Sequence, residues 1–447
     1  MELHNTTKNL DNGLNSEDYF QNSKDADISR SKYYRGQDVI TESAIRMAYS
    51  WLASPLSYVV TLLDKDLFYS IIATMAGIEI IAVEGGSELK DFIDLPWRIY
   101  AEYPNWVPPL KKEVRRMLDL RKHPFWEFSE RILFLARRGS ETVGRIVGIV
   151  DRHYNQCHNE KMGIWGFFEC ADDADAAAAL FSSVETWVRQ KGMTFLRGPL
   201  SPSMNNESGL LIDGFDYLPV VGMAYNPPYY LRLVESCGFS KEKDLLAFLI
   251  DGEYRLPDWM ERLAERIAQK KGVQIRHVNP KHMDAEFALI REIYNDSWSG
   301  NWGFVPLTDN EMRDIQKSVK PFADPGLVFF IYYEDEPAAV CVIFPDINPL
   351  LKRLNGRIGL LGLLKALIYR REIKGLRLLM FGIKEKYRQL GLPILAFRHI
   401  YEIGRGKNKY QNLEMGWTLE DNESINSLIE ETGARIYKKY RIFRKSL

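Results

Sequence analysis

Hydrophobic residues fall in two rhythms along this chain. Short apolar runs of strand length are separated by stretches in which apolar residues recur every three or four positions, as on one face of a helix. Read in order from residue 78, the pattern predicts a strand over 78–83, a helix through 91–103 and two strands over 132–138 and 142–151. Gly139-Ser140-Glu141 between those two strands is a hairpin signal. A strand over 163–169, a helix over 174–191 and a short strand ending at 196–198 come next. Asn226-Pro227-Pro228-Tyr229-Tyr230 leads a helix to Cys237-Gly238-Phe239, and a strand over 245–250 closes this half. Residues 251–272 are a charged helical connector with Trp259, Leu263 and Ile267 on one face.

The second half repeats the order. It has a strand over 273–278, helices over 284–297 and 309–322, and a hairpin of 327–333 with 338–344 around Glu334-Asp335-Glu336. A strand over 376–383, a helix to Gly404, a strand over 412–419, a helix over 423–431 and a last strand over 434–444 complete it. Asn422 is expected to cap the helix that follows it. Ahead of all this, residues 1–35 are rich in Asn, Asp, Ser and Lys and read as disordered. Residues 36–74 are mildly apolar without a period, so Met75 is expected to begin the natural domain, with 1–74 an upstream, poorly structured extension.

Composition narrows the class. The chain has 447 residues, 46% apolar and 27% charged, which fits two to three ordinary soluble domains. A formal net charge of -1 gives no global pull toward nucleic acid. Cys157, Cys170, Cys237 and Cys341 are far apart and form no C-x-x-C pair, so they read as reduced structural thiols. His153 and His158 flank Cys157, but no second ligand pair lies nearby, and no metal site is expected. No signal peptide is evident and no apolar run reaches the ~20 residues of a spanning helix, so a cytoplasmic location is expected.

The chemistry centres on 380–404. An apolar strand runs into Lys384-Glu385-Lys386-Tyr387-Arg388-Gln389-Leu390-Gly391-Leu392-Pro393, which opens a helix. Helix starts leave backbone N–H groups unpaired and carry partial positive charge, so a basic turn of this kind is an anion site. The turn resembles the pyrophosphate loop of the GNAT superfamily of N-acetyltransferases, Arg/Gln-x-x-Gly-x-Gly/Ala, with Arg388, Gly391 and Pro393 in those places and the last glycine replaced. Element order resembles that fold twice over, across about residues 78–447. Gly238-Phe239 and Gly433-Ala434 are similar to the family's closing helix-to-strand turns.

The resemblance implies an α/β (α+β) protein of two tandem GNAT-like domains, each a mixed, mostly antiparallel sheet flanked by helices. Their limits are 75–250, which lacks the cofactor loop, and 273–447, which holds an acyl-thioester site. In the first half Asp172 and Asp173 stand where the basic turn belongs and would repel a pyrophosphate. The donor implied is acyl-CoA or an acyl carrier protein, held by Ile383, Arg388, Gln389, Gly391 and Leu392 without metal. A buried helix start at Leu392 would count against that reading. The attacking amine must lose a proton, so a carboxylate or a water chain is wanted; Glu414, Glu420 and Asp421 on the following strand are candidates, and the plain reading of Glu414 is a solvent-facing strand carboxylate. The family's tyrosine acid falls near Ile429 here, which leaves Tyr437 or Tyr387 to protonate the thiol.

Two loops look built for an acceptor: 198–209, with Asn205, Asn206 and Glu207, and 298–304, with Asn301 and Trp302. Self-bonded turns and core aromatics are the bland readings of the same residues. Residues 345–375 are an insertion in which the apolar run 360–369 is rimmed by Lys352, Arg353, Arg357, Lys365, Arg370, Arg371, Lys374 and Arg377. Such a helix can lie on an anionic bilayer or cover a lipidic cleft, so peripheral contact at the inner membrane through 352–377 is an open option. The whole pattern looks like the tandem acetyltransferase-like bacterial proteins of the YghO-type group and is similar to bacterial ceramide synthases. That resemblance implies transfer of an acyl group to a sphingoid or other lipid amine. The alternative is a non-catalytic protein that keeps the fold to bind a lipid or a partner.

Overall fold

Alternating strands with one apolar face need a layer of helices or another sheet to bury that face. Here the strands of both halves merge into one sheet. The computed structural model describes residues 77–251, 255–357, 372–407 and 410–447. Residues 1–74 and the apolar run 360–369 lie outside the described residues.

Strands of the first half are β1 (Ile78–Ala82), β2 (Ser129–Arg138), β3 (Glu141–Asp151), β4 (Met162–Cys170), β5 (Phe195–Gly198), β6 (Leu200–Ser201), β7 (Glu207–Ser208), β8 (Leu210–Asp213) and β9 (Ser240–Asp251). Those of the second are β10 (Val273–His277), β11 (Val328–Tyr333), β12 (Glu336–Pro345), β13 (Gly375–Ile383), β14 (Asn412–Leu419) and β15 (Arg435–Ser446). The principal helices are α1 (Gly86–Asp94), α2 (Ala174–Gln190), α3 (Asp258–Ala268), α4 (Met283–Ser297), α5 (Asp309–Val319), α6 (Leu392–Lys407) and α7 (Glu423–Glu431).

A 13-stranded sheet runs β1-β2-β3-β4-β5-β15-β9-β14-β13-β12-β11-β10, with β8 paired to β15. Only β4–β5 and β13–β14 pair in parallel, so the sheet is mixed and mostly antiparallel, as expected. The middle of the order shows an exchange. β9, the last strand of the first half, pairs with β14 of the second, and β15, the last strand of the second half, pairs with β5 of the first. β9 and β15 also pair with each other.

The two faces are packed differently. Phe248, Met415, Leu378 and Leu392 form one core with α6, while Leu245, Ala247, Leu211, Met223 and Tyr440 form another on the opposite face. In the first half, α2 buries Ala177, Leu180, Phe181 and Val184 against β2 and β3. The predicted helix 91–103 begins earlier, at Gly86, and breaks before Pro96, which has no N–H to continue the ladder. Asn422 precedes α7 but makes no side-chain cap bond; Asn426 instead donates to the Leu419 carbonyl (2.9 Å).

Each parallel pair separates after a few residues. In the first half the gap is filled: β4 and β5 pair only as far as Ile164–Arg197, and β6 then lies over β4. A Cβ on Gly166 would stand 1.8 Å from the Leu200 carbonyl oxygen, closer than any contact allows. Gly166→Ala must therefore push two backbones apart, and a loss of about 3 kcal/mol in denaturant unfolding is expected. An unchanged midpoint would show that the gap is not closed there.

Candidate active site

The second half keeps its gap and lines it with charge. β13 and β14 pair from Gly375–Asn412 to Leu378–Met415 and no further. Three register shifts surround the point of separation. Leu379 has no partner across β12, Trp417 none across β9, and Tyr437 none across β9 on its other side. Bulges re-aim side chains and recur beside active sites. The bulge at Tyr437 brings it and the next residue, Lys438, both toward Glu414, the nearest strong charge acting on each.

Glu414 is fully buried, at 0% exposure. Its register partner Arg377 is also buried, with Nε 3.4 Å from Oε2. Neither that nitrogen nor either carboxyl oxygen completes a hydrogen bond, so the pair is an ion contact only. Arg377 spends its terminal nitrogens on the carbonyls of Val221 and Gly416. Burial pushes the Glu414 carboxyl up to about 8, against the opposing pull of Arg377. Lys438 has no exposure either and donates to the Tyr217 carbonyl (2.7 Å). Burial brings its ammonium down to about 8, against the pull of Glu414. Among the described residues the hydroxyls of Tyr437 and Tyr440 have no hydrogen-bond partner, and burial raises both far above the usual phenol range.

The polar centre continues into the first half through Glu207. This residue is exposed, yet desolvation raises its carboxyl, and Arg145 and Arg377 both act on it. Beyond it, Arg145 donates to the Phe92 carbonyl (2.6 Å) and contacts Glu169 (3.5 Å). Burial raises Glu169 to about 6, with Arg145 and a hydrogen bond from Tyr230 (2.7 Å) opposing.

The expected site residues separate into three places. Glu414 and Tyr437 belong to the buried centre just described, whereas Glu207, on β7, is exposed. Tyr387 does not: its hydroxyl donates to Glu336 (2.7 Å) on the turn, beside Lys386. Ile383 ends β13; Arg388 and Gln389 are exposed on a 3-10 turn (Glu385–Leu390), where Arg388 donates to the Ser297 carbonyl (2.9 Å). Gly391 has φ 75° and packs on Ile267, and Leu392 has no exposure at all, backbone included; the helix start is buried at this residue, which counts against a phosphate held there. The first turn of α6 carries no acidic residue. At the matching place in the first half, Asp173 caps α2 by accepting from the Ala176 N–H (3.0 Å).

Asn205, Asn206, Asn301 and Trp302 lie where the two loops meet. Asn205 accepts from the Tyr294 hydroxyl (2.6 Å), and Asn206 from the Ser203 hydroxyl (2.9 Å). The Asn301 N–H donates to the Trp298 carbonyl (2.8 Å), and the Trp302 ring lies 4.9 Å from the Arg197 guanidinium. Glu420 and Asp421 leave the centre for ion pairs with Lys241 (2.6 Å) and Lys243 (2.7 Å). Ile429 is core.

Arg377, Lys438, Arg145 and Glu169, which surround this centre, went unrecognised in the sequence. Arg377 was expected on the basic rim of the insertion; at 6% exposure it faces the interior and meets no membrane. The available signal was a charge inside an otherwise apolar strand, as in Gly375–Ile383. No group of three or more His, Cys, Asp or Glu suited to a metal occurs among the described residues. No described helix is long and apolar enough to cross a membrane.

No family model matches the sequence. Curated relatives do. A bacterial ceramide synthase of Caulobacter vibrioides (strain NA1000 / CB15N) is 35% identical over 385 residues, 84% of this chain and 99% of the relative. Protein YghO of Escherichia coli (strain K12) is 31% identical over 373 residues, 81% of this chain and 93% of the relative. Among solved structures, a tandem GNAT protein from the clavulanic acid biosynthesis pathway superposes with a TM-score of 0.49 at 11% identity, over 83% of this chain and 98% of that one. A GCN5-related N-acetyltransferase from Sphaerobacter thermophilus gives 0.47 at 12% identity, over 83% and 95%. With both curated relatives above 30% identity over nearly their whole length, this chain belongs to the family that includes bacterial ceramide synthase and YghO.

Proposed function

We propose that this protein is an N-acyltransferase that moves an acyl group from an acyl thioester to the amine of a lipid such as a sphingoid base. The observation that carries the reading is Glu414, a carboxyl without hydrogen-bond partners, buried where β13 and β14 part. The printed name of the Caulobacter relative supports a lipid amine as acceptor. Acyl-CoA and an acyl carrier protein are both compatible donors.

The thioester supplies an electrophilic carbonyl. The amine nitrogen forms the new C–N bond, the C–S bond breaks, and the amine's proton goes to Glu414. A carboxylate whose desolvation raises its affinity for a proton is a better base than one in water. Leu379, unpaired across both neighbouring strands, offers a backbone N–H to the developing oxyanion. Tyr437 stays protonated at all ordinary pH and can supply the proton that the departing thiolate takes up. Arg377 and Lys438 hold the centre's charge near balance.

For the donor, the turn before α6 offers the exposed Arg388 and Gln389, a left-handed Gly391 and a first helical turn without acidic residues, while the buried Leu392 weighs against a phosphate seated on the helix start itself. Arg388→Ala is expected to raise KM for acyl-CoA roughly three- to tenfold, the size of one exposed charge-assisted hydrogen bond, with kcat held within about twofold. Initial rates at varied acyl-CoA check this; an unchanged KM removes Arg388 from the donor site.

A non-catalytic reading draws on Ile429 and on the bond that already occupies Arg388. The test between them is amide product by mass spectrometry from acyl-CoA and a panel of long-chain and polar amines. Absence of any amide with active, donor-binding protein would favour the second reading.

A further inference from the structure

A crevice of about 530 Å³ opens beside the last strand, lined by Asp213, Phe215, Asp216, Tyr217, Arg435 and Tyr437. Two carboxylates face one guanidinium across its mouth, so its lining carries a net negative charge. The lining is mostly polar, with three aromatic residues, Phe215, Tyr217 and Tyr437, among it; Tyr217 and Tyr437 meet edge to face with centroids 5.3 Å apart. Tyr217 and Leu218, at 42% and 41% exposed, continue the apolar surface outward. The loop sits directly on β15. A Cβ on Gly214 would stand 2.2 Å from the Tyr437 carbonyl oxygen, and Lys438 ties the Tyr217 carbonyl from inside.

Tyr437 connects this crevice to the interior. It lines the crevice, but is only 8% exposed, and its hydroxyl has no hydrogen-bond partner among the described residues. Glu414 is the principal charge acting on that hydroxyl. The crevice and the α6 turn are also on opposite faces of the sheet. Tyr437 packs with Leu211, Val220 and Trp417, whereas Tyr387, Leu390 and Leu392 pack in the α6 core. Two substrates could therefore reach Glu414 from opposite faces without crossing.

We infer that this crevice is the entrance for the acceptor, a primary ammonium on a long apolar chain, with Asp213 and Asp216 attracting the head group and Tyr437 standing as the gate to Glu414. Aromatic rings with carboxylates at the mouth are the arrangement that attracts an organic cation, and an anion such as a phosphate is repelled by the same carboxylates. The exposed Tyr217 and Leu218 give the chain a dry surface as the head passes inward. This inference rests on the acyltransferase reading for the identity of the acceptor, and not for the location of the site.

The test is photolabelling of the full-length protein with a long-chain primary amine that carries a diazirine near the nitrogen, followed by peptide mapping. The expected result is label on residues 213–217 and 435–437, reduced at least fivefold in Asp213→Asn/Asp216→Asn and absent with the corresponding long-chain alcohol. Label on other peptides, on none, or equally from amine and alcohol overturns the inference. Amide formation assayed on the same sample separates the two ideas. Transfer with label elsewhere leaves the acyltransferase standing and removes the entrance; label here without transfer does the reverse.

Discussion

Glu414→Gln is expected to lower the rate of amide formation roughly 10²- to 10⁴-fold, the usual range for a lost general base, while making the protein more stable at alkaline pH. The combination is the informative part. Glutamine copies the shape and neutrality of a protonated carboxyl, so it removes the base and leaves the packing around Arg377 and Tyr437 in place. The side chain has no exposure and its oxygens have no hydrogen-bond partner. Ionising such a group is expensive. A carboxyl moved from 4.5 to about 8 disfavours the folded, ionised form by on the order of 5 kcal/mol.

The sign follows from proton counts. Between pH 4.5 and 8 the unfolded chain has lost the Glu414 proton and the folded chain keeps it, so stability falls as pH rises through that window. Lys438 acts in the opposite sense in the next window: between about 8 and 10.5 the unfolded chain keeps a proton that the folded chain has released, and stability rises with pH. The wild-type contribution of this pair therefore has its minimum near pH 8. Glu414→Gln removes the falling limb. Its Tm should match wild type at pH 5 and exceed it at pH 8 by roughly 5 °C, given the entropy of unfolding of a domain this size. For activity, wild-type kcat should rise with pH, reaching half its maximum near 8 and a plateau above that, and the residual rate of the variant should lose that limb. A variant with near-normal kcat sinks Glu414 as the base. A variant destabilised at every pH would mean instead that the ionised carboxylate holds Arg377 in place.

Much of the second half was legible in the sequence, because each of its elements declares itself locally. The strand predicted over 412–419 and the helix over 423–431 coincide with β14 and α7, and the central strand differs from β13 by a single residue. Glu414 stood out in the sequence only as a carboxylate on the strand that follows the helix; its complete burial had no sign there, since its plain reading faced solvent. Its partners did not stand out. Arg377 meets it through a parallel pairing across 37 positions, and Lys438 through a bulge on a strand that alternation alone would make regular. Tyr387 misled for a related reason: it is close to the helix start in sequence, but the 3-10 turn directs it outward to Glu336. The exchange of β9 and β15 had no local sign at all. A strand's period says which residues face inward; it does not say which edge the strand will join.

That exchange carries the other large effect. Residues 1–254 and 255–447, produced separately, should each fail to give a cooperative unfolding transition, and produced together they should form a 1:1 complex. In the first fragment β9 loses both neighbours in the order β15-β9-β14, and β5 loses β15. In the second, β14 loses β9 and β15 loses every strand it pairs with. The side chains uncovered include Leu245 and Phe248 on β9 and Tyr440, Ile442 and Phe443 on β15, none of them measurably exposed in the whole chain. At about 1.5–3 kcal/mol for each large apolar side chain, that burial is on the order of 10 kcal/mol, as large as the net stability of a typical domain. Calorimetry and analytical ultracentrifugation decide the matter. Two monomeric fragments with sharp transitions of their own would mean that each half closes its own sheet, and that the shared strands are not what keeps Glu414 on β14 facing Lys438 on β15.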